Sequence, residues 1–519
     1  MALQAGSAPR VAIRVDASAV MGTGHLKRCL SLAHALLEQG AQVSLISRPL
    51  DSVAAQVLLS APCPVRWLPA PAAGTDLPPD RQSPPHAAWA GVPWALDARD
   101  TTTALQTERP DWLVVDHYAL DARWHETLRA ALGCRLLVID DTADRPLDPD
   151  VLLDHNWAPD HRAKYADLLA REPHWLVGPS YALLLPAYRS APRYRFKPEV
   201  HSLGIFMGGT DPDSISTRVL ATCRTMGFSG GIEVVSTSTS PHLASLREAC
   251  TADRSAVLTL DEPDLAAFFS RHDLQIGAGG GATWERCCIG APTIAIAITA
   301  NQFAVVPGLG MLGAMRATTE VRLVETLREL ICDPAARQAL ANRAAALVDG
   351  RGAQRVALHI MRDALTVRPA TLADSGLLHS WRNHPTVRAV SGSRGAIGAN
   401  EHNRWLQGVL LSQDRWLFVA QLGQLSIGSI RFDCLQAGRV EVSLYLDPEL
   451  LGLGLGPRLL LAGERQMQQC LGHSFTLEAA VLPGNTASQR LFEGCGYDGG
   501  PLNYQKAVGK VPPQAGANE

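Results

Sequence analysis

Apolar positions in the first third of the chain alternate between two rhythms. Val11–Val15 is a short β-branched run that ends at a glycine-containing turn, Met21-Gly22-Thr23-Gly24. Leu26, Cys29, Leu30, Ala33, Leu36 and Leu37 then recur at helical spacing, which predicts a helix stopping at Gly40, with Val43–Ile46 as the next strand. Trp112–Val115 and Leu136–Ile139 are further short apolar runs of the kind that parallel sheets bury on both faces. Pro71–Pro93 breaks the pattern; its Pro, Ala and Gly density predicts a long surface excursion. A second α/β rhythm begins near His201: Ser202–Met207 runs into Gly208-Gly209-Thr210, Val234–Val235 follows, and Leu274–Ile276 precedes the run Gly277–Gly281. Thr293–Ile298 continues it, and helices are expected over Leu323–Cys332, Ala335–Val348 and Ala353–Ala364.

From about Leu365 the pattern changes. Asp374–Arg382 and Glu401–Leu411 read as helices, with Asp374 as N-cap of the first. Trp416–Gln421, Leu425–Phe432 and Val440–Leu446 read as antiparallel strands, with Gly423 and Gly438 in their turns. A helix (Pro457–Cys470), a strand (Phe475–Val481) and a helix (Thr486–Cys495) complete the unit, and the stretch after Gly509 reads as frayed. The expected architecture is α/β: lobes over residues 10–190 and 191–363, followed by an α+β domain over 365–508.

Composition narrows the classes. Among 519 residues, 47 Lys and Arg face 50 Asp and Glu, a net charge of −3, which argues against nucleic acid as a partner held by bulk charge. The eleven cysteines include no C-x-x-C pair and one vicinal pair, Cys287–Cys288, as expected for reduced thiols in a cytoplasmic protein. Met1–Arg10 does not read as a signal peptide, and the longest apolar stretches, such as Pro292–Thr299, are too short to cross a membrane. Asp211-Pro212-Asp213 beside Gly209 reads as a turn, so no metal is expected.

Three loops carry candidate chemistry. Gly22-Thr23-Gly24-His25 stands between a strand and a helix start, where glycines let backbone N–H groups approach a phosphate; a simple tight turn fits equally well. His25 there is either a general base or a capping surface histidine. Gly277–Gly281 offers a second helix start, with Glu285 one turn in and able to take two sugar hydroxyls, or else a surface glutamate after a glycine turn. Leu451-Gly452-Leu453-Gly454-Leu455-Gly456 alternates glycines after a strand, a pyrophosphate cradle without a P-loop lysine.

Several runs keep a fixed order over residues 10–362: Arg14-Val15-Asp16, Met21–Leu30, Val115-Asp116-His117-Tyr118, Ile139-Asp140-Asp141, Gly208–Asp211, Gly279-Gly280 with Trp284–Cys288, Asn301-Gln302 and Asp349–Ala353. This order resembles the UDP-sugar hydrolase of pseudaminic acid biosynthesis. The resemblance implies a GT-B-like pair of Rossmann-like lobes that releases UDP by attack of water at the anomeric carbon. It makes His25 the base and puts Tyr118 and Asn301 in the sugar and diphosphate pocket. Arg14, Asp16, Gly22 and Gly24 become substrate-binding, with Gly280, Gly281, Glu285 and Gln302 beside UDP. The chain departs from that pattern at Ser236–Ser240, where a glycine is expected.

The second glycine loop, with Asn485 at the next helix start and Gly496-Tyr497 at its end, resembles the GNAT acetyltransferases over residues 365–508. Thr366–Arg368, Trp381-Arg382-Asn383 and His402 with Trp405 are similar to the branch that acetylates ribosomal proteins and also holds the pseudaminic-pathway N-acetyltransferase. The resemblance implies acetyl-CoA as co-substrate, bound by Leu446, Gly452, Gly454, Gly456 and Asn485. Leu451 stands where the pattern has Arg or Gln, and Phe492 where a tyrosine often serves as general acid, which leaves Tyr445 or Tyr497 for that role. Glu441 either relays the amine proton or faces solvent, and Trp381, Trp405 and Trp416 either stack on a uracil or fill the core.

Together the two resemblances imply a fusion of consecutive steps on a UDP-sugar: acetylation of its 4-amino group, then release of UDP. The competing readings are a UDP-sugar glycosyltransferase joined to a protein N-acetyltransferase, and a hydrolase carrying a non-catalytic acetyl-CoA module.

Overall fold

The computed structural model describes residues 8–72, 83–209, 211, 213–299, 302–436, 438–500 and 502–509. It falls into two compact units, one built from Arg10–Leu37 and Gln42–Val356, the other chiefly from Ala357 onward.

The first unit holds two parallel sheets. Strands β1 (Arg10–Val15), β2 (Gln42–Ser47), β3 (Val65–Trp67), β4 (Trp112–Asp116), β5 (Arg135–Ile139), β6 (Val151–Asp154) and β7 (His174–Val177) are ordered 3-2-1-4-5-6-7. Strands β8 (Ser202–Phe206), β9 (Gly231–Ser236), β10 (Ala256–Leu260), β11 (Leu274–Ala278), β12 (Thr293–Ile296) and β13 (Arg316–Thr318) are ordered 10-9-8-11-12-13. All pairings in both sheets are parallel. β4 is buried along its whole length and β1 at all but its first residue, because helices cover both faces. This is the doubly wound order expected of Rossmann-like lobes. In each, the strand order reverses between two neighbours, β1 with β4 and β8 with β11, and ligands of such sheets bind beyond the carboxyl ends at that point.

The short strands β3, β6, β7, β10 and β13 were not predicted. Val65-Arg66-Trp67, for example, is three residues of an edge strand and offers no apolar run to read. Within the predicted excursion, residues 73–82 lie outside those described; the remainder is not featureless, since Ala87–Ala90 forms a 3₁₀ turn and the helix from Trp94 to Leu105 follows. No helix among the described residues is long and apolar enough to cross a membrane.

The second unit is a mixed sheet, β14 (Thr366–Pro369), β15 (Arg415–Leu422), β16 (Leu425–Gln436), β17 (Arg439–Leu446), β18 (Phe475–Ala480), β19 (Asp498–Gly500) and β20 (Asn503–Val508), ordered 14-15-16-17-18-20-19. Only the β17–β18 pair is parallel. Leu378, Trp381, Leu406 and Val409 from two helices pack on Leu417 and Val419 of β15. Asp374 stands at the N-cap of the helix Ser375–Asn383, as expected, but its side chain bonds none of that helix's N–H groups. Its carboxylate turns back to the Thr371 N–H (2.8 Å) in a capping box around the preceding 3₁₀ turn, drawn there by the Arg368 guanidinium.

Beneath the first sheet's reversal point lies a sealed ionic network. Arg14 bonds both Asp16 (2.5 and 2.8 Å) and Asp97 (2.6 Å), and Arg48 also donates to Asp97 (2.9 Å). Arg14, Asp16 and Asp97 have no exposed surface. Burial by itself would raise the carboxyl pKa values; Arg14 overrules it and holds Asp16 and Asp97 below the ordinary range. Removing one partner of such a set strands the others, so Asp97→Ala should cost about 3–5 kcal/mol, read as a lowered denaturant midpoint. Because the folded-state pKa values are depressed, that stabilisation is complete above about pH 4 and fades as pH falls. The stability difference between wild type and variant should therefore shrink in acid.

Candidate active sites

Asp116 ends β4, directly opposite Val15 of β1. The helix Gly24–Glu38 starts across the crevice, with His25 in its first turn and Arg28 three residues on, hence on the same face. His25 Nδ1 lies 2.6 Å from Asp116 Oδ1, and Arg28 grips the same carboxylate through Nε (2.5 Å) and Nη2 (2.6 Å). Burial would raise the Asp116 pKa, but Arg28 and then His25 reverse this and keep it well below the carboxylate range. An ionised carboxylate only accepts, so it holds the proton on Nδ1 and leaves Nε2 as the basic nitrogen. Tyr118 meets the His25 ring edge-on with centroids 4.5 Å apart, and its hydroxyl donates to Asp141.

Asp141 continues the chain of contacts toward the second lobe. Its Oδ2 accepts from Asn156 Nδ2 (2.9 Å), and Asn156 Oδ1 accepts from Trp284 Nε1 (3.1 Å) on the helix Ala282–Ile289. That helix follows β11 and the loop Gly279–Gly281. Gly279 is required by space: a Cβ there would stand 2.2 Å from Val306 Cγ2. Glu285 sits one turn into the helix; burial raises its pKa, opposed by Lys27 of the first lobe and by Tyr188. In the neighbouring loop the Thr237 hydroxyl donates to Gly209 O (2.6 Å), so the unexpected serine and threonine run ties down the turn after β8.

The expected site residues divide. His25, Tyr118, Gly22 and Gly24 lie together at the first lobe's crevice, and Gly280, Gly281 and Glu285 at the second lobe's. Arg14 and Asp16 do not line a surface; they are sealed in the ionic network below. Gln302 is also buried, its Oε1 accepting from Gly279 N and Ile298 N (both 3.0 Å), so it staples the glycine loop. Asn301 lies outside the described residues. Asp211 caps the helix from Ile215 by accepting from Ile215 N (2.8 Å) and Ser216 N (3.0 Å). Sequence reasoning assigned no role to Asp116, Arg28, Asp141, Asn156 or His155. His155, buried beside Arg28 and Asp141, is pushed down to about 4, chiefly by burial. For Asp116 the signal was present: an acid closing an apolar run just before His117-Tyr118.

In the second unit β17 and β18 pair only over Arg439–Glu441, and beyond this Ser443–Leu446 keep no β18 partner in the sheet register. The following loop turns through Gly452 and Gly454, with φ of +81° and +71°, into the helix Leu455–Leu471. Gly454 has no side chain with which to cap that helix, so the Leu455 and Gly456 N–H groups stay available for an anion. Asn485 is corrected in part: its Oδ1 is spent capping its own helix at Ser488 N (3.2 Å). Tyr497 is committed as well, donating to the buried Glu464 (2.9 Å), and Phe492 packs against it and Tyr504. Tyr445 stands on the free part of β17; burial pushes its phenol up to about 12, moderated by Ser429, Arg382 and Arg431.

The fold and sites thus comprise two Rossmann-like lobes and a mixed-sheet domain whose residues 364–498 match the family model of the acetyltransferase (GNAT) domain. The first unit is similar to two curated proteins. One is the spore coat polysaccharide biosynthesis protein SpsG of Bacillus subtilis, 27% identical over 194 residues, covering 34% of this chain and 56% of that protein. The chain therefore spans little more than half the length of that relative. The other is the UDP-2,4-diacetamido-2,4,6-trideoxy-beta-L-altropyranose hydrolase of Campylobacter jejuni, 24% identical over 294 residues, covering 56% of this chain and 93% of that one. Among solved structures, MurG of Acinetobacter baumannii aligns with a TM-score of 0.47 at 14% identity, over 68% of this chain and 99% of that chain.

The Val306 contact is testable. Gly279→Ala should lower stability by about 1–3 kcal/mol through overpacking, and Val306→Ala in the same background should recover most of the loss in a thermal melt.

Proposed function

We propose that the chain is a bifunctional enzyme acting on one UDP-sugar, with a hydrolase over residues 10–363 and an N-acetyltransferase over 365–508. The transferase acetylates the 4-amino group of UDP-4-amino-4,6-dideoxy-N-acetyl-β-L-altrosamine with acetyl-CoA. The hydrolase converts the product, UDP-2,4-diacetamido-2,4,6-trideoxy-β-L-altropyranose, to UDP and free sugar, in consecutive steps of pseudaminic acid biosynthesis. The observation that carries the reading is the His25–Asp116 pair (2.6 Å) at the first lobe's reversal point. The similarity to the Campylobacter hydrolase and the acetyltransferase domain on the same chain support it.

In the hydrolase, His25 Nε2 takes a proton from water as its oxygen bonds the anomeric carbon. The bond from that carbon to the diphosphate oxygen breaks, and its electron pair leaves with UDP. Asp116 steadies the imidazolium, and Arg28 keeps Asp116 ionised. The N–H groups around Gly280 and Gly281 favour the charge that grows on the diphosphate. In the transferase, the free amine attacks the thioester carbonyl, the C–S bond breaks, the thiolate of CoA departs, and the new amide nitrogen gives its extra proton to solvent. Tyr445, protonated at neutral pH, is the group we assign to return a proton to the thiolate; Glu464 already occupies Tyr497.

Incubating the protein with the UDP-4-amino sugar, with and without acetyl-CoA, and following products by NMR tests the whole reading. Acetylated sugar and then UDP are expected, and neither product would overturn it. His25→Ala should lower UDP release by about 10²–10⁴-fold while leaving acetyl transfer intact. Tyr445→Phe should slow acetyl transfer by about 10²-fold, whereas Tyr497→Phe should act mainly on stability.

A further inference from the structure

The turn that ends the predicted Pro-rich excursion brings aromatic rings to the hydrolase site, and the mechanism above does not use them. Trp89 stacks on Tyr118 at a centroid distance of 5.8 Å and an interplanar angle of 28°, and meets His25 edge-on at 6.2 Å. His86 lies 4.5 Å from Trp89 and 5.7 Å from Tyr118. Tyr118 and His25 are buried, but Trp89 and His86 keep part of their surface in solvent.

This turn is held in place. Trp89 N donates to His86 O (2.9 Å), Gly91 N donates to Ala88 O (3.1 Å), and His86 Nε2 lies 3.6 Å from Asp144. Gly91 has φ +67°, and a Cβ there would stand 2.8 Å from both Leu50 Cδ2 and Pro71 Cγ, so only glycine lets the turn seat against Leu50 and Pro71. A large indole fixed beside a general base, with one side still open, is suited to contact with the substrate.

We propose that Trp89, backed by His86, is a specificity-determining shelf that stacks on the apolar side of the sugar and selects a 6-deoxy, N-acetylated hexose over one with a hydroxymethyl group. The inference rests on the hydrolase reading above. An aromatic face attracts C–H groups and the methyls of C6 and the acetamides, and it offers a 6-hydroxyl no replacement for its lost water.

The test measures binding apart from turnover. In a His25→Ala background, calorimetry compares UDP with the UDP-2,4-diacetamido-6-deoxy sugar and with UDP-N-acetylglucosamine, each with Trp89 intact, Trp89→Phe and Trp89→Ala. With Trp89 intact, the 6-deoxy sugar nucleotide should bind roughly tenfold tighter than UDP-N-acetylglucosamine. Trp89→Ala should bring the two together, Trp89→Phe should fall between, and UDP alone should bind equally to all three, which shows that the fold is retained. In the active protein, Trp89→Ala should raise KM for the 6-deoxy substrate with kcat little changed. If the two sugar nucleotides are discriminated equally with and without Trp89, the shelf is overturned. If Trp89-dependent discrimination is found but the wild type releases no UDP, the shelf stands and the hydrolase reading fails.

Discussion

A carboxylate at the end of a fully buried strand is stable only if its charge is answered. Asp116 is in that position, and the answer comes from the first two turns of one helix: His25 on one oxygen and Arg28 across both. The pairing decides which nitrogen of His25 holds a proton and how the helix start is aimed at the crevice.

The same constraint recurs one layer deeper and one lobe further on. Below the crevice, Arg14 and Arg48 hold Asp16 and Asp97 in a network with no exposed surface, so the loop after β1 rests on charges that cannot move independently. Toward the second lobe, Tyr118, Asp141, Asn156 and Trp284 form a continuous run of hydrogen bonds. The glycine loop after β11 is held by Gln302 in turn. Around His25 one buried carboxylate is braced from several sides, which suits a site that must hold geometry within fractions of an ångström.

Much of this was legible beforehand. Short, wholly apolar runs such as Trp112–Val115 announce central parallel strands, and the three glycine loops announce where helices begin after strands. The resemblance made Arg14 and Asp16 substrate contacts; their mutual neutralisation, invisible in one dimension, lets them be buried. Gln302 and Asn485 read as binding groups, yet each spends its side-chain oxygen on a backbone N–H that its own loop or helix leaves unpaired. Trp89 was lost inside a Pro-rich stretch with no periodicity.

By itself the sequence determined the α/β order of the lobes, the change to an α+β pattern near Leu365, and the loops at which chemistry is possible. Local patterns carry this information because burial on a strand or helix repeats with a fixed period. Only the tertiary structure decided which of the polar residues face the crevice and which brace it. Asp116 comes from a position 91 residues after His25 and Trp284 from one 128 residues after Asn156. The ionisation of a buried acid, the tautomer of a histidine and the role of an amide depend on partners that only the folded chain brings within 3 Å or so.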